Sequence, residues 1–89
     1  MYLTITYIRR RIMKELFHEV VLARFALNAY VQNSNYTREG YKERYEFLEM
    51  QIETFMCNTN SSNLVRILLH QSYFTWDKYM ALSLSLIHI

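Results

Sequence analysis

A single glycine, Gly40, and the absence of proline restrict the fold of this 89-residue chain more than any other feature. The tight turns of β-sandwiches and loop-rich folds need glycine or proline at several positions, so both architectures are disfavoured. Apolar residues make up 52% of the chain, which is enough for a core and too much for a disordered segment. The sequence therefore predicts an all-α domain in which polar stretches form the turns.

The first predicted helix spans about residues 14–31. Apolar side chains recur there at spacings of three and four residues, as they do along one face of an α-helix. This face consists of Leu16, Val20, Ala23, Leu27 and Tyr30, and it is widened by Phe17, Val21 and Phe25. Glu15, His18 and Arg24 are predicted to lie on the polar face. The helix-averse side chains of residues 32–37, "QNSNYT", predict the first turn.

The second predicted helix spans residues 38–57. Thr37 is suited to cap its first turn, and Glu39 is placed favourably at the positive end of the helix dipole. The apolar face consists of Tyr41, Tyr45, Leu48, Ile52, Phe55 and Met56. Gly40 disfavours this helix by about 1 kcal/mol relative to alanine, and we attribute its presence to the close approach of a neighbouring helix.

The third predicted helix spans residues 63–82, with Ser61 or Ser62 as its cap. One face consists of Val65, Leu69, Ser72, Trp76 and Met80, while Leu64, Leu68, Phe74 and Tyr79 cover other sides. A helix that is apolar on so many sides is normally buried between partners. Because short polar loops favour antiparallel neighbours, we expect a three-helix, up-down-up arrangement or the N-terminal part of a larger bundle.

Both ends of the chain resemble translated non-coding DNA. Residues 84–89, "LSLIHI", match the translation of a transposase adapter used in shotgun sequencing, so we expect the natural sequence of this chain to be cut near Leu82 or Ser83. Residues 9–13, "RRRIM", match a translated ribosome-binding site with its start codon. This match predicts a false extension over residues 1–12, a helical domain over residues 13–83 and a bacterial or phage origin.

The charge balance gives little support to nucleic-acid binding. Ten basic and eight acidic residues give a net charge of +2, and removal of Arg9, Arg10 and Arg11 leaves seven basic residues against eight acidic ones. The single cysteine, Cys57, excludes an internal disulfide framework and suits a reducing compartment. No apolar stretch reaches the length of a membrane span, and the order of charges is not that of a signal peptide. We therefore expect a cytoplasmic protein with no membrane contact.

Two short motifs carry potential chemistry. Glu15-Leu-Phe-His18 resembles half of the di-iron motif of ferritin-like bundles, which implies Glu15 and His18 as metal ligands. That family needs two such pairs and further glutamates, and this sequence contains one pair. Arg66-Ile-Leu-Leu-His70 resembles the Arg-x-x-x-x-His motif of helical toxin ribonucleases, but it is one residue shorter. This difference rotates the histidine by roughly 100°, so we expect both side chains at the solvated surface.

The sequence predicts a non-enzymatic helical interaction protein with no cofactor and no catalytic residue. Its partner would be another protein or a second copy, and its contact residues would be the aromatic side chains Tyr73, Phe74, Trp76 and Tyr79, because such anchors dominate interface energetics. One alternative is a truncated helical-bundle enzyme whose carboxylate and histidine site is completed by missing C-terminal residues. A second alternative is weak nucleic-acid binding through Arg9–Arg11.

Overall fold

The computed structural model describes the backbone of residues 2–33 and 35–87 and the side chains of residues 8–33 and 35–82. Four α-helices follow one another in this part of the chain: α1 (Tyr2–Val31), α2 (Arg38–Thr59), α3 (Asn63–Leu69) and α4 (Trp76–Ile87). No strand occurs among these residues, which confirms the predicted all-α class.

Helix α1 begins well before the predicted start near residue 14. Residues 2–13 contain neither glycine nor proline, so the helical hydrogen bonding continues through them without a break. Ile8 and Ile12 on this segment are about half exposed, at 49% and 47%. The false start expected at Met13 stays a prediction.

Helix α2 begins where the sequence predicts it. The Oγ1 atom of Thr37 accepts a hydrogen bond from the backbone N–H of Gly40 at 3.0 Å, as expected for the capping residue. The helix ends at Thr59, because Asn60 adopts a left-handed conformation with φ of 51°. Asparagine tolerates this conformation better than most residues. The backbone N–H of Asn60 donates to the carbonyl of Met56 and closes the last turn.

The third predicted helix is wrong as a single element, because α3 and α4 are separated by residues 70–75. The Oγ1 atom of Thr75 accepts a hydrogen bond from the backbone N–H of Lys78 at 3.3 Å, so Thr75 caps the first turn of α4. The three-helix arrangement is thereby replaced by four helices among the described residues. Helix α4 continues to Ile87 and includes part of the suspected adapter segment, whose side chains lie outside the described residues.

The core is centred on Phe17 of α1, which is 1% exposed. Its ring lies 5.6 Å from that of Phe55 in α2 and 5.6 Å from that of Trp76 in α4, both edge to face. The remaining buried apolar side chains are Val20, Ala23, Leu27, Leu48, Ile52, Met56, Val65, Leu69, Phe74 and Tyr79. The predicted apolar faces of α1 and α2 therefore supply most of the core.

Three aromatic residues predicted to belong to these apolar faces are exposed instead. Phe25 is 73% exposed, because its position is rotated about 80° around α1 from that of Phe17. Tyr41 and Tyr45 are each 40% exposed, and their rings stack on one another with centroids 6.0 Å apart. The apolar periodicity indicates the presence of α1 and α2 but makes their buried faces too wide.

Arg24 is buried, which corrects its predicted place on the polar face. It is 7% exposed, and its Nη1 atom donates a hydrogen bond to the backbone carbonyl of Leu69 at 2.9 Å. Leu69 is the last residue of α3, where helix carbonyls lack an intrahelical partner and a positive charge is favourable. Burial lowers the pKa of the Arg24 guanidinium, but an arginine keeps its proton at neutral pH. Arg24 therefore closes the C-terminal end of α3.

Replacement of Arg24 by methionine should destabilise the fold. Arg24→Met keeps most of the aliphatic stem but leaves the Leu69 carbonyl without this partner, so we expect a loss of about 1–3 kcal/mol in the free energy of unfolding, measured by urea titration. The exposed Arg38 gives a matched control, since Arg38→Met should change stability by less than about 0.5 kcal/mol. Equal effects of the two substitutions would contradict the role assigned to Arg24.

The side chain of Tyr30 explains Gly40. A Cβ atom at residue 40 would overlap the Tyr30 hydroxyl and would lie 2.5 Å from its Cζ atom. The backbone N–H of Thr37 donates to Tyr30 Oη at 2.9 Å, and the Arg44 guanidinium lies 3.8 Å from the Tyr30 ring centroid. Hydrogen bonding with Thr37 holds the pKa of the Tyr30 phenol below its usual value. The expected close approach to Gly40 is thus made by a side chain of α1, and this contact fixes the corner between α1 and α2.

The effect of Gly40→Ala should change sign with the residue at position 30. In the natural chain the added methyl displaces the Tyr30 ring, and we expect a loss of about 1–3 kcal/mol. In a Tyr30→Ala background the space is free, so the better helix propensity of alanine should stabilise the fold by up to about 1 kcal/mol. Urea unfolding of the four proteins measures this coupling, and the same sign in both backgrounds would refute the steric explanation.

Candidate functional site

The four aromatic residues predicted to contact a partner lie in different environments. Phe74 and Tyr79 are 3% and 6% exposed in the core around Phe17, so a partner cannot reach them in this fold. Trp76 is half-buried, and Tyr73 is 59% exposed with the Lys78 ammonium 5.1 Å from its ring centroid. Of the four, Tyr73 and the open part of Trp76 are available for contact.

Glu15 and His18 both lie on the exposed side of α1. The Glu15 carboxylate is 3.5 Å from the Nε atom of Arg11, an exposed ion pair of a kind that contributes little to stability. Within the part of the chain that the structure describes, no three histidine, cysteine or acidic side chains come together as a metal site would require. A metal centre at Glu15 and His18 would need ligands from outside these residues.

Arg66 and His70 were expected at the solvated surface, but both side chains contact carboxylates of α2. The Nε2 atom of His70 lies 2.7 Å from Glu49 Oε1, and Arg66 forms an ion pair with Glu53 and lies 3.9 Å from Glu49 Oε2. The ring of Tyr45 stacks on His70 with centroids 6.0 Å apart. Because carboxylates of α2 engage both side chains, this arrangement joins α2 to the segment around α3. We refer to Glu49, Glu53, Arg66 and His70 as the ion cluster.

Contacts within the ion cluster shift the pKa values of Glu53 and Arg66, and also that of the adjacent Cys57. The hydrogen bond from Arg66 is the main cause that holds the pKa of the Glu53 carboxyl below its usual value, and it raises the pKa of Arg66 in return. The Sγ atom of Cys57 donates to Glu53 Oε1 at 3.5 Å, which raises the pKa of the Cys57 thiol. A thiol with a raised pKa is a poorer nucleophile at neutral pH, so this contact disfavours a reactive Cys57.

The stabilising effect of Glu53 should depend on pH. Its pKa is lower in the folded chain than in the unfolded one, so its contribution is fully present above the unfolded value of about 4.3. That contribution is lost as the pH falls through the folded value. We expect Glu53→Gln to lower the urea midpoint at neutral pH and to have a progressively smaller effect in acid. The control is Glu46→Gln on the exposed face of α2, where Glu46 lies 4.0 Å from Lys42 in an exposed pair. A Glu53→Gln effect that is independent of pH would contradict the ion pair between Glu53 and Arg66.

An exposed apolar strip runs along the outer face of α1. Leu22 and Phe25 are 62% and 73% exposed, and Ala26 and Ala29 are exposed beside them. Between residues 20 and 33 the only charged residue is the buried Arg24, so the strip carries no charge. We call Leu22, Phe25, Ala26 and Ala29 the α1 strip.

The α1 strip has a signal in the sequence, although the prediction places Phe25 on the buried face and makes no assignment for Leu22, Ala26 or Ala29. Leu22, Phe25 and Ala29 follow one another at spacings of three and four, which is a second apolar series offset from the buried one. A pattern with two such series on one helix does not indicate which of them is buried. The structure separates the two series, and it places Phe25 with the exposed one.

The accessible surface of the chain is larger than expected for a folded monomer of its mass. Its accessible surface is 6883 Å², whereas a folded monomer of this mass is expected to expose roughly 5,600 Å². The difference is about 1,300 Å², and the molecule is elongated, with extents of 51 × 26 × 18 Å. A standard protein interface buries about 800 Å² on each partner. The excess alone is larger than the area that each partner buries in such an interface.

Comparisons of the chain with protein-family models, with curated proteins and with solved structures gave no match. Along the described helices, none combines the length and the hydropathy needed to cross a lipid bilayer. The α1 strip, which is exposed, apolar and uncharged, is the candidate functional site.

Proposed function

We propose that this chain is a non-enzymatic helical interaction protein that acts by burying the α1 strip against a second copy of itself. The observation that carries the proposal is the exposure of Leu22 and Phe25, side by side, on a helix whose opposite face is already packed. Singly scattered apolar side chains are normal on a protein surface, but a contiguous and uncharged strip favours an interaction site.

The absence of charge on the strip favours a second copy as the partner. A two-fold interface brings the same patch of both subunits together, so any charge near its axis meets its own copy. Antiparallel pairing around Phe25 and Ala26 avoids this repulsion, and the small side chains of Ala26 and Ala29 allow close approach of the helices. The exposed pair on α2, Phe47 and Met50, is less suitable because the same surface is lined by three charged residues, Glu43, Arg44 and Glu46.

The energies involved predict weak association. Full burial of a leucine or phenylalanine side chain contributes about 1.5–3 kcal/mol, so the two pairs in a dimer contribute at most roughly 6–12 kcal/mol. Lost translational and rotational freedom opposes association by an estimated 4–15 kcal/mol. We therefore expect a dissociation constant in the micromolar range or weaker, at about 1 μM or above.

Sedimentation velocity over a range of concentrations tests the proposal. The natural chain should show a concentration-dependent equilibrium between monomer and dimer, and Leu22→Gln combined with Phe25→Gln should give monomer throughout. Both side chains are exposed, so this double variant should change the free energy of unfolding by no more than about 0.5 kcal/mol per site.

The matched control is Phe47→Gln combined with Met50→Gln, which removes two exposed apolar side chains from α2 and should leave the dimer intact. Tyr73→Gln tests the surface predicted from the sequence in the same way. A natural chain that stays monomeric at the highest soluble concentration would refute self-association. A dimer that depends on Tyr73 or on the α2 pair would move the interface away from the α1 strip.

A further inference from the structure

A groove lies between the first half of α1 and the start of α4. Arg10, Arg11 and Lys14 of α1 line it together with Trp76 and Met80 of α4, and its volume is about 410 Å³. The fold creates this neighbourhood, since more than 60 residues of sequence separate the three cations from the tryptophan. The groove is separate from the α1 strip and is independent of the function proposed above.

The indole of Trp76 is held in a fixed orientation. Its ring lies 5.6 Å from that of Phe17, edge to face, and 5.4 Å from that of Tyr79. These contacts bury part of the indole, and its accessible remainder lines the groove. A rigid, partly open aromatic ring can stack on a planar ligand at a small entropic cost, because the ring is already ordered.

Three of the ten basic residues of the chain lie beside this ring. Arg10, Arg11 and Lys14 are all exposed, and without them the chain carries seven basic and eight acidic residues. The nearest acidic side chains in sequence, Glu15 and Asp77, are not among the residues that line the groove, although Glu15 pairs with Arg11 at 3.5 Å. The groove therefore combines an aromatic surface with cations that attract phosphate.

We propose that this groove binds single-stranded nucleic acid, with one base stacked on Trp76 and the adjacent phosphates held by Arg10, Arg11 and Lys14. Stacking on an aromatic side chain next to basic residues is the general means by which proteins bind single strands without regard to sequence. A duplex keeps its bases paired, so it cannot stack a base on the indole. The groove exists only in a chain that carries residues 9–14.

Trp76 is the sole tryptophan of the chain, so its fluorescence reports the stacking directly. A short oligothymidylate added to the full chain should quench this fluorescence in a saturable manner. With three phosphate contacts on a single strand, log K should fall with log salt with a slope of about −2. This slope corresponds to a roughly 20-fold loss of affinity between about 50 and 200 mM salt.

Arg10→Gln combined with Lys14→Gln leaves the aromatic core intact and should weaken binding. The loss of affinity over the same salt range should shrink to roughly threefold, because one phosphate contact remains. Arg38→Gln combined with Lys42→Gln removes the same charge from the start of α2 and should leave both affinity and salt slope unchanged. Equal losses of affinity in the two double variants would mean that net charge alone drives binding. This result would overturn the assignment of the groove as the binding site.

Three further ligands complete the test. Duplex DNA that binds more tightly than the single strand would overturn the proposal, as would an absence of Trp76 quenching by the oligonucleotide. Adenosine monophosphate that binds as tightly as the oligonucleotide would assign the groove to a free nucleotide instead. Vesicles with anionic headgroups that bind where the oligonucleotide does not would assign it to a membrane surface.

Discussion

Aromatic rings packed around Phe17 hold α1, α2 and α4 together. Phe55 of α2, Phe74 of the connecting segment and Trp76 and Tyr79 of α4 all have ring centroids within 6.1 Å of that of Phe17. Each such pair contributes about 0.5–1.5 kcal/mol beyond the burial of its area. These contacts attach α4 to the pair formed by α1 and α2. They also bring Trp76 next to the cations of α1, so the groove is a consequence of how the core is packed.

The end of α3 depends on a residue that is distant in sequence. A seven-residue helix gains little from its own hydrogen bonds, and ending it inside the protein leaves carbonyl groups to be satisfied. Arg24 supplies one donor at this point, and the ion cluster fixes the outer side of the same segment to α2. The positions of α3 and α4 are therefore set by polar contacts at the ends of helices as well as by the core.

The sequence predicts the helical class and α2 to within two residues at its C-terminal end, because Thr37 and the three-and-four spacing up to Phe55 agree with one another. It fails at the break before α4, since the apolar spacing from Leu69 through Ser72 to Trp76 continues across a turn that is not helical. Thr75 followed by Asp77 was a usable signal for a helix start. The burial of Arg24 and the exposure of Phe25 could not be read from one helix alone, because both depend on where the other helices lie.

The ring of Phe17 also has a consequence for the order in which the chain assembles. The corner at Tyr30 and Gly40 joins α1 to α2 across a short stretch of sequence, so these two helices can pair early. The rings that cover Phe17 from the other side, Phe74 and Tyr79, come from the last fifth of the chain. A nascent chain that has emerged only as far as α2 therefore lacks Phe74 and Tyr79, and the apolar surface that these rings cover at Phe17 stays exposed. Chaperone binding and aggregation compete with completion of the fold during that interval.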